Sequence, residues 1–231
     1  MSILSKHYLK ILNMKDKSEP DKALEKIKNF WDKVAPRYAQ DKIKDMVSYE
    51  KKLKKTQSYF YKNMNVLEIG CGTGMTEVFH VPFVKEYVAT DISSQMVDLA
   101  RKRAFDASVK NMKFEVNSYN NLSIRDGSMD AVLAMSLLHL VQTPDDCLRM
   151  IHKKLRKDGL FISSTMCLGD KINFLKVVFP VMRFFGLAPA GSVQFFKKDT
   201  LLDRFERNNF AIEYQWQPSD KKACFVVAKK T

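Results

Sequence analysis

Three glycines at a spacing of two, Gly70, Gly72 and Gly74, follow directly on the apolar run Val66-Leu67-Glu68-Ile69, and Asp91 closes a second such run, Tyr87-Val88-Ala89-Thr90. The first pattern reads as a buried strand entering a bend nearly bare of side chains. Glycine permits φ > 0 and lets a ligand come closer to the peptide groups than a Cβ would allow. A carboxylate ending the next strand can accept both hydroxyls of a ribose, because ligands of doubly wound sheets sit outside the carboxyl ends of the strands. These residues could therefore hold a nucleoside. Two phosphate-binding arrangements are excluded: the dinucleotide fingerprint needs a third glycine where Met75 stands, and no Gly-Lys-Ser/Thr follows for a P-loop. Glu68, ahead of the bend, would repel phosphate and attract a cation.

S-adenosylmethionine meets those conditions, with a positive α-ammonium and sulfonium and an adenosine that needs Asp91. The stretch Val66-Leu67-Glu68-Ile69-Gly70-Cys71-Gly72-Thr73-Gly74 closely resembles motif I of the class I, Rossmann-like, S-adenosylmethionine-dependent methyltransferases, in their small-molecule (type 11) branch. The resemblance extends over residues 30 to 230. It implies an α/β fold: a doubly wound, seven-stranded, mostly parallel sheet with an antiparallel last strand, an N-terminal helical cap at 1–62, and a cofactor-binding domain at 63–231. The implied reaction is transfer of a methyl group to an oxygen, nitrogen or carbon nucleophile of a small, hydrophobic acceptor.

The same resemblance assigns site residues. Cofactor contacts fall to Tyr38, Glu68, Gly70, Cys71, Gly72, Gly74, Asp91, Ile92, Met96, Asn117, Ser118, Tyr119 and Met135. Tyr38, in the aromatic segment Phe30 to Tyr38, would fold over the methionine end of the cofactor and help enclose the acceptor, or else only pack its helix. Met96 would lie against the adenine, where a polarisable thioether suits stacking, or pack helix to sheet. Family members place an acid after the third strand to hold the adenine amino group. Ser118 stands there instead, so Ser118 or Asn117 serves as a neutral acceptor or the adenine is held by backbone. His139, beyond the fourth strand Asp130 to Met135, is the titratable candidate on the edge facing the transferable methyl. It either takes a proton from an acceptor oxygen or nitrogen or, as a helix-start residue, has only a packing or orienting part. No metal ligands are assigned.

Helices and strands must position these residues. Leu24, Ile27, Phe30, Trp31 and Val34 recur at helical spacing from Pro20, and Pro36 is expected to end that helix. Lys51, Lys52, Lys54, Lys55 and Lys62 stand without an acid beyond Glu50, and read as a solvated helix face or a partner-binding patch. Residues 75–82 give a short crossover ending at Pro82. Ser93 or Ser94 caps the next helix, Met112 to Val116 makes the third strand, and 145–157 a helix stopped by its cationic last turn and Gly159. Leu160 to Thr165 is the fifth strand, 199–208 a helix capped by Asp199 or Thr200, and two antiparallel strands close the sheet around Pro218-Ser219-Asp220.

Composition bounds the partners. At 231 residues, 45% hydrophobic and 28% charged, one core with an added cap is expected. The net charge of +13 indicates solubility and non-specific attraction to anions. Four scattered cysteines without a Cys-x-x-Cys pair speak against disulfides and structural zinc and for a reducing cytoplasm. No signal-peptide-like start or membrane-span-length apolar run is read. Residues 168–198 are rich in Phe, Val, Leu and Ile between Lys171, Lys176, Pro180 and Arg183. They read as an apolar lid, a peripheral membrane contact or a satellite core. Two alternatives to a small acceptor stay open: an RNA or protein methyltransferase, although Ala134-Met135-Ser136-Leu137 stands where an amino-directed nucleic-acid enzyme carries Asn/Asp-Pro-Pro-Tyr/Phe, and a cofactor-binding regulator without turnover. The oligomeric state is not legible.

Overall fold

The computed structural model describes residues 19–167, 193–220 and 222–231. Two helices, α1 (Glu19–Tyr38) and α2 (Met46–Gln57), precede β1 (Asn65–Ile69). The chain then runs through α3 (Glu77–His80), a 3-10 turn at Val81–Phe83, β2 (Glu86–Asp91), α4 (Ser94–Asp106), β3 (Met112–Val116) and β4 (Met129–Met135). It ends with α5 (Pro144–Lys154), β5 (Leu155–Met166), α6 (Lys198–Arg207), β6 (Phe210–Trp216) and β7 (Ala223–Lys230).

The sheet has seven strands in the order β3-β2-β1-β4-β5-β7-β6, and β7 alone runs antiparallel to its neighbours. Period-two alternation sends successive side chains of β1 to opposite faces. Leu67 and Ile69 join Val88, Val132 and Phe161 under α5 and α6, whereas Val66 joins Tyr87, Ala89, Leu133 and Phe225 on the face that carries Ala100 of α4. Strand order reverses at β1, which has β2 on one side and β4 on the other. That reversal opens a crevice at the carboxyl ends, where doubly wound sheets bind ligands.

Four expectations are corrected. α1 runs through Pro36 to Tyr38. A proline in the last turn removes one hydrogen bond, and Ala39 N–H still reaches the Ala35 carbonyl at 3.0 Å. α5 stops at Lys154, ahead of Gly159, because Leu155 is fully buried and pairs with Met129, so β5 begins five residues earlier than its apolar run. The lysine row of α2 is not simply solvated. Lys51 lies over the Trp216 ring at 4.1 Å and Lys55 over Tyr214 at 4.4 Å, while Lys52 is half-buried. α6 is preceded by Lys197 without a side-chain cap, and Asp199 sits inside its first turn.

The four cysteines are free and buried. Among the described residues no helix is long and apolar enough to cross a membrane. The lid-like segment 168–198 lies outside the described residues except for its last six positions, where Phe196 is buried and bridges Cys167.

Candidate active site

The bend after β1 is held to the end of β2 by its own peptide groups. Gly70 and Cys71 N–H both donate to the Thr90 carbonyl, at 2.7 and 3.0 Å. All three glycines have positive φ, +72°, +57° and +76°, yet their surroundings differ. A Cβ on Gly74 would meet the Ala100 Cα at 2.8 Å, so this glycine lets α4 pack against the bend. A Cβ on Gly70 would meet a Leu137 methyl at 2.9 Å. At Gly72 nothing lies within 4 Å of where a Cβ would be. The backbone there faces open space.

Asp91 borders that space. Its carboxylate accepts Gly72 N–H on Oδ2 and Ser93 N–H on Oδ1, each at 2.9 Å. A carboxylate offers about four lone-pair positions, so both oxygens keep acceptor capacity for a ribose. Burial pushes the Asp91 carboxyl up, against the pull of the two N–H groups and with a further push from Asp32. Asp32 comes from α1: it accepts Ser93 Oγ–H at 2.6 Å and Gln95 N–H at 3.1 Å, joining α1 to the start of α4. Ser93 in turn caps α4 through Met96 N–H, at 3.1 Å.

The remaining assigned residues differ in burial and partners. Tyr38, at the end of α1, is 46% exposed and packs edge-on to Trp31. Burial, Asp41 and Asp91 raise its phenol pKa, so the hydroxyl stays protonated and able to donate. Ile92 is half-buried, and Met96 is buried at the first turn of α4. Asn117 N–H bonds the Asp91 carbonyl at 2.9 Å, and the Asn117 amide oxygen accepts Ser118 N–H at 3.0 Å. Tyr119 shares a hydrogen bond with Thr143. Cys71 is buried with its thiol 3.7 Å from the Gly72 carbonyl, and its pKa is well raised by burial and by Glu77, Asp91 and Glu68. Met135 ends β4 half-buried.

Glu68 differs from expectation, and for His139 the packing or orienting reading is favoured. Glu68 is only 1% exposed and turned beneath the bend, where Tyr87 donates to its carboxyl at 2.5 Å. Burial and the nearby Glu77 raise its pKa well above the carboxylate range. That shift favours the neutral form of a carboxyl bonded to Tyr87 in the interior, whereas Asp91 borders the open space at Gly72. His139 lies past β4 with its Nδ1 buried and without a hydrogen-bond partner among the described residues. Burial lowers its pKa to about 4. A neutral imidazole whose conjugate acid is so strong is a weak base, poorly matched to proton abstraction near pH 7, and a packing or orienting part fits it better.

Three residues near the bend and the strand ends were not assigned to the site in the sequence. Tyr49 of α2 donates to the Met75 carbonyl at 3.0 Å, fastening α2 over the bend. Lys52 donates to Ser164 Oγ at 3.2 Å, at the carboxyl end of β5. Glu77 is wholly buried beside Glu68. Tyr49, Lys52, Leu53 and Thr56 fall at i, i+3, i+4 and i+7, and that spacing was the available signal of an inward face.

The family profile described as a methyltransferase domain matches residues 67–163. The uncharacterized methyltransferase YcgJ of Bacillus subtilis (strain 168) is 29% identical over 97 residues, covering 42% of this chain and 38% of that protein. A ubiquinone biosynthesis O-methyltransferase of Xanthomonas oryzae pv. oryzae is 29% identical over 102 residues, covering 44% and 42%. The chain thus spans about two fifths of the length of these curated relatives. Among solved structures, YcgJ superposes with a TM-score of 0.66 at 18% identity, covering 78% of this chain and 98% of that one. A geranyl diphosphate methyltransferase in complex with S-adenosylmethionine superposes with a TM-score of 0.64 at 12% identity, covering 78% and 85%.

Proposed function

We propose, from the match of residues 67–163 to the methyltransferase-domain profile and the geometry of the bend, that the chain is a class I methyltransferase that transfers a methyl group from S-adenosyl-L-methionine to an oxygen of a small acceptor with an apolar body. The observation that carries the reading is the open space at Gly72 bordered by the Asp91 carboxylate. A nucleoside can approach the peptide there without displacing a side chain, and its ribose meets an acceptor pair already aimed at the bend.

When bound, S-adenosyl-L-methionine supplies an electrophilic methyl carbon. The chain's part is binding, alignment and exclusion of water. Asp91 receives the ribose hydroxyls. Met96, Asn117, Ser118 and Tyr119 form the side of the crevice toward β3, and we assign them the adenine. Tyr38 and α2 close the crevice from the N-terminal side, so residues 19–62 act as the cap. His139 orients the acceptor beyond β4. Oxygen is favoured as the acceptor atom because a relative matching about the same length is an O-methyltransferase. An apolar acceptor body is supported by the makeup of 168–198, which leaves the chain at the carboxyl end of β5.

The test is incubation with methyl-labelled S-adenosyl-L-methionine and a panel of phenols, acids, amines, lipids, quinone precursors, RNA and protein, read as S-adenosylhomocysteine released. Label in a small oxygen compound supports the reading. Label only in RNA or protein, or cofactor binding with no release from any pool, would count against it.

A further inference from the structure

α2 sets its lysines in very different surroundings. Lys51 and Lys55 rest on aromatic rings of β6, where a cation is stabilised by the ring face at low cost in hydration. Lys52 points the other way, onto the carboxyl end of the sheet. Its ammonium has three donors, and the hydrogen bond recorded for it goes to Ser164 Oγ, at 3.2 Å. Among the described residues no carboxylate pairs with it. The acid whose charge acts on it, Asp45, is bridged to Lys222 at 2.7 Å. Burial lowers the Lys52 pKa against the pull of Asp45. A half-buried ammonium facing one hydroxyl is an expensive arrangement in a folded protein, since buried charges are ordinarily paired.

The position says what could pair with it. Ser164 is in register with Met135, the last residue of β4, and the Ser164 carbonyl accepts Ser136 N–H at 2.7 Å. Ser136 takes a left-handed φ of +65°, so the chain turns sharply off β4 there. The bend and Asp91 belong to β1 and β2. β5 is two strands from β1 on the opposite side, roughly 10 Å away at ordinary strand spacing. Lys52 therefore stands across β4 from the nucleoside crevice, on the side left to the acceptor.

We propose that Lys52, with Ser164, anchors an ionised oxygen of the methyl acceptor, so that the substrate class is an acidic hydroxy compound, a phenol, enol or carboxylic acid, carrying an apolar body. The inference rests on the methyl-transfer reading and deepens it. It also supplies what His139 lacks: an acceptor that arrives as an anion needs no protein base. The proton leaves to solvent before binding. The oxygen's electron pair then forms the O–C bond while the C–S bond breaks, its electrons remaining on sulfur as a neutral thioether. A charge-assisted bond to the ammonium holds the anion in place.

The test uses matched probes, 4-nitrophenol against 4-nitroaniline and 2-naphthoate against 2-naphthamide, with wild type, Lys52→Met and Lys52→Arg, and S-adenosylhomocysteine affinity measured on each. The expected result is transfer to an ionised probe with kcat/KM about tenfold or more above its neutral mate. Lys52→Met loses that preference chiefly in KM, Lys52→Arg keeps it, and S-adenosylhomocysteine affinity is unchanged in both. Equal use of the pairs, no transfer to either ionised probe, or a preference surviving in Lys52→Met overturns the anchor. So does a Lys52→Met variant that loses S-adenosylhomocysteine affinity instead, which would place the ammonium on the cofactor's own carboxylate. Failure of wild type to bind S-adenosylhomocysteine at all overturns the methyl-transfer reading itself.

Discussion

At the scale of single residues, Gly72 and Gly74 share a motif but not a task, and alanine at each separates the two. Both substitutions place a Cβ at positive φ, a handedness cost of roughly 1–2 kcal/mol. Gly74→Ala additionally drives a methyl into the Ala100 backbone, and overpacking of that kind adds roughly 1–3 kcal/mol. Thermal melts should therefore show the larger loss for Gly74→Ala. Titration with S-adenosylhomocysteine should show the larger loss for Gly72→Ala, whose Cβ takes ligand space. Equal effects in both assays would contradict the division. The pair was legible as a motif because glycine spacing is a one-dimensional signal. Which glycine serves packing was not, because that depends on where Ala100 arrives.

Glu77 gives a second residue-scale expectation. Burial, with a contribution from Asp91, pushes its carboxyl up from 4.5 to about 7, against the pull of local backbone N–H groups and Arg103. The folded state then binds a proton that the unfolded chain releases above the ordinary carboxylate range. Stability attributable to this group is full below about pH 4.5 and lost as pH rises toward 7. His80 works in the opposite sense: burial lowers its pKa to about 3, so its contribution is lost as pH falls. The measurement is accordingly a difference. Glu77→Gln should gain on wild type in melting experiments between about pH 4.5 and 7, by on the order of 2 kcal/mol. A pH-independent difference would show that Glu77 does not titrate in that window.

At the scale of elements, α2 carries the clearest departure from the sequence reading. A lysine row lacking nearby acids ordinarily marks a solvated face, and β6, whose aromatic rings receive Lys51 and Lys55, lies over 150 residues away in the chain. No local pattern could report that contact. Replacing both lysines by alanine is expected to cost roughly 1–2 kcal/mol from two partly exposed cation–π contacts, seen as a lower Tm, with S-adenosylhomocysteine affinity unchanged. A loss of affinity as large as the loss of stability would mean that these contacts set the crevice and not just the packing. The premature end of α5 has a similar origin: the cationic turn before Gly159 is a sound local stop signal, but burial of Leu155 against β4 takes precedence. Strands β1, β2 and β4, by contrast, were legible because buried parallel strands are continuous apolar runs bounded by turn residues, and the edge strand β3 by its alternation, Met112-Lys113-Phe114-Glu115-Val116.

At the scale of the whole molecule, sheet order, the reversal at β1 and the two-faced core follow from the alternation of strands and helices. The site that they create lies where that topology must open. Legible there was the proposed cofactor side, Gly70 to Gly74 with Asp91. Not legible was the proposed acceptor side, because Lys52 meets Ser164, 112 residues away, only once α2 docks on the sheet. The central claim is that the space at Gly72 and the Asp91 carboxylate form a nucleoside site. Isothermal titration of S-adenosylhomocysteine into wild type and Asp91→Ala, with a melt confirming that the variant is folded, tests it most directly. Loss of a charged hydrogen-bond acceptor is worth roughly 1.5–3 kcal/mol, so one saturable site in wild type, weakened about tenfold or more in Asp91→Ala, is the expected result. No binding by wild type, or equal affinity in the folded variant, would contradict it.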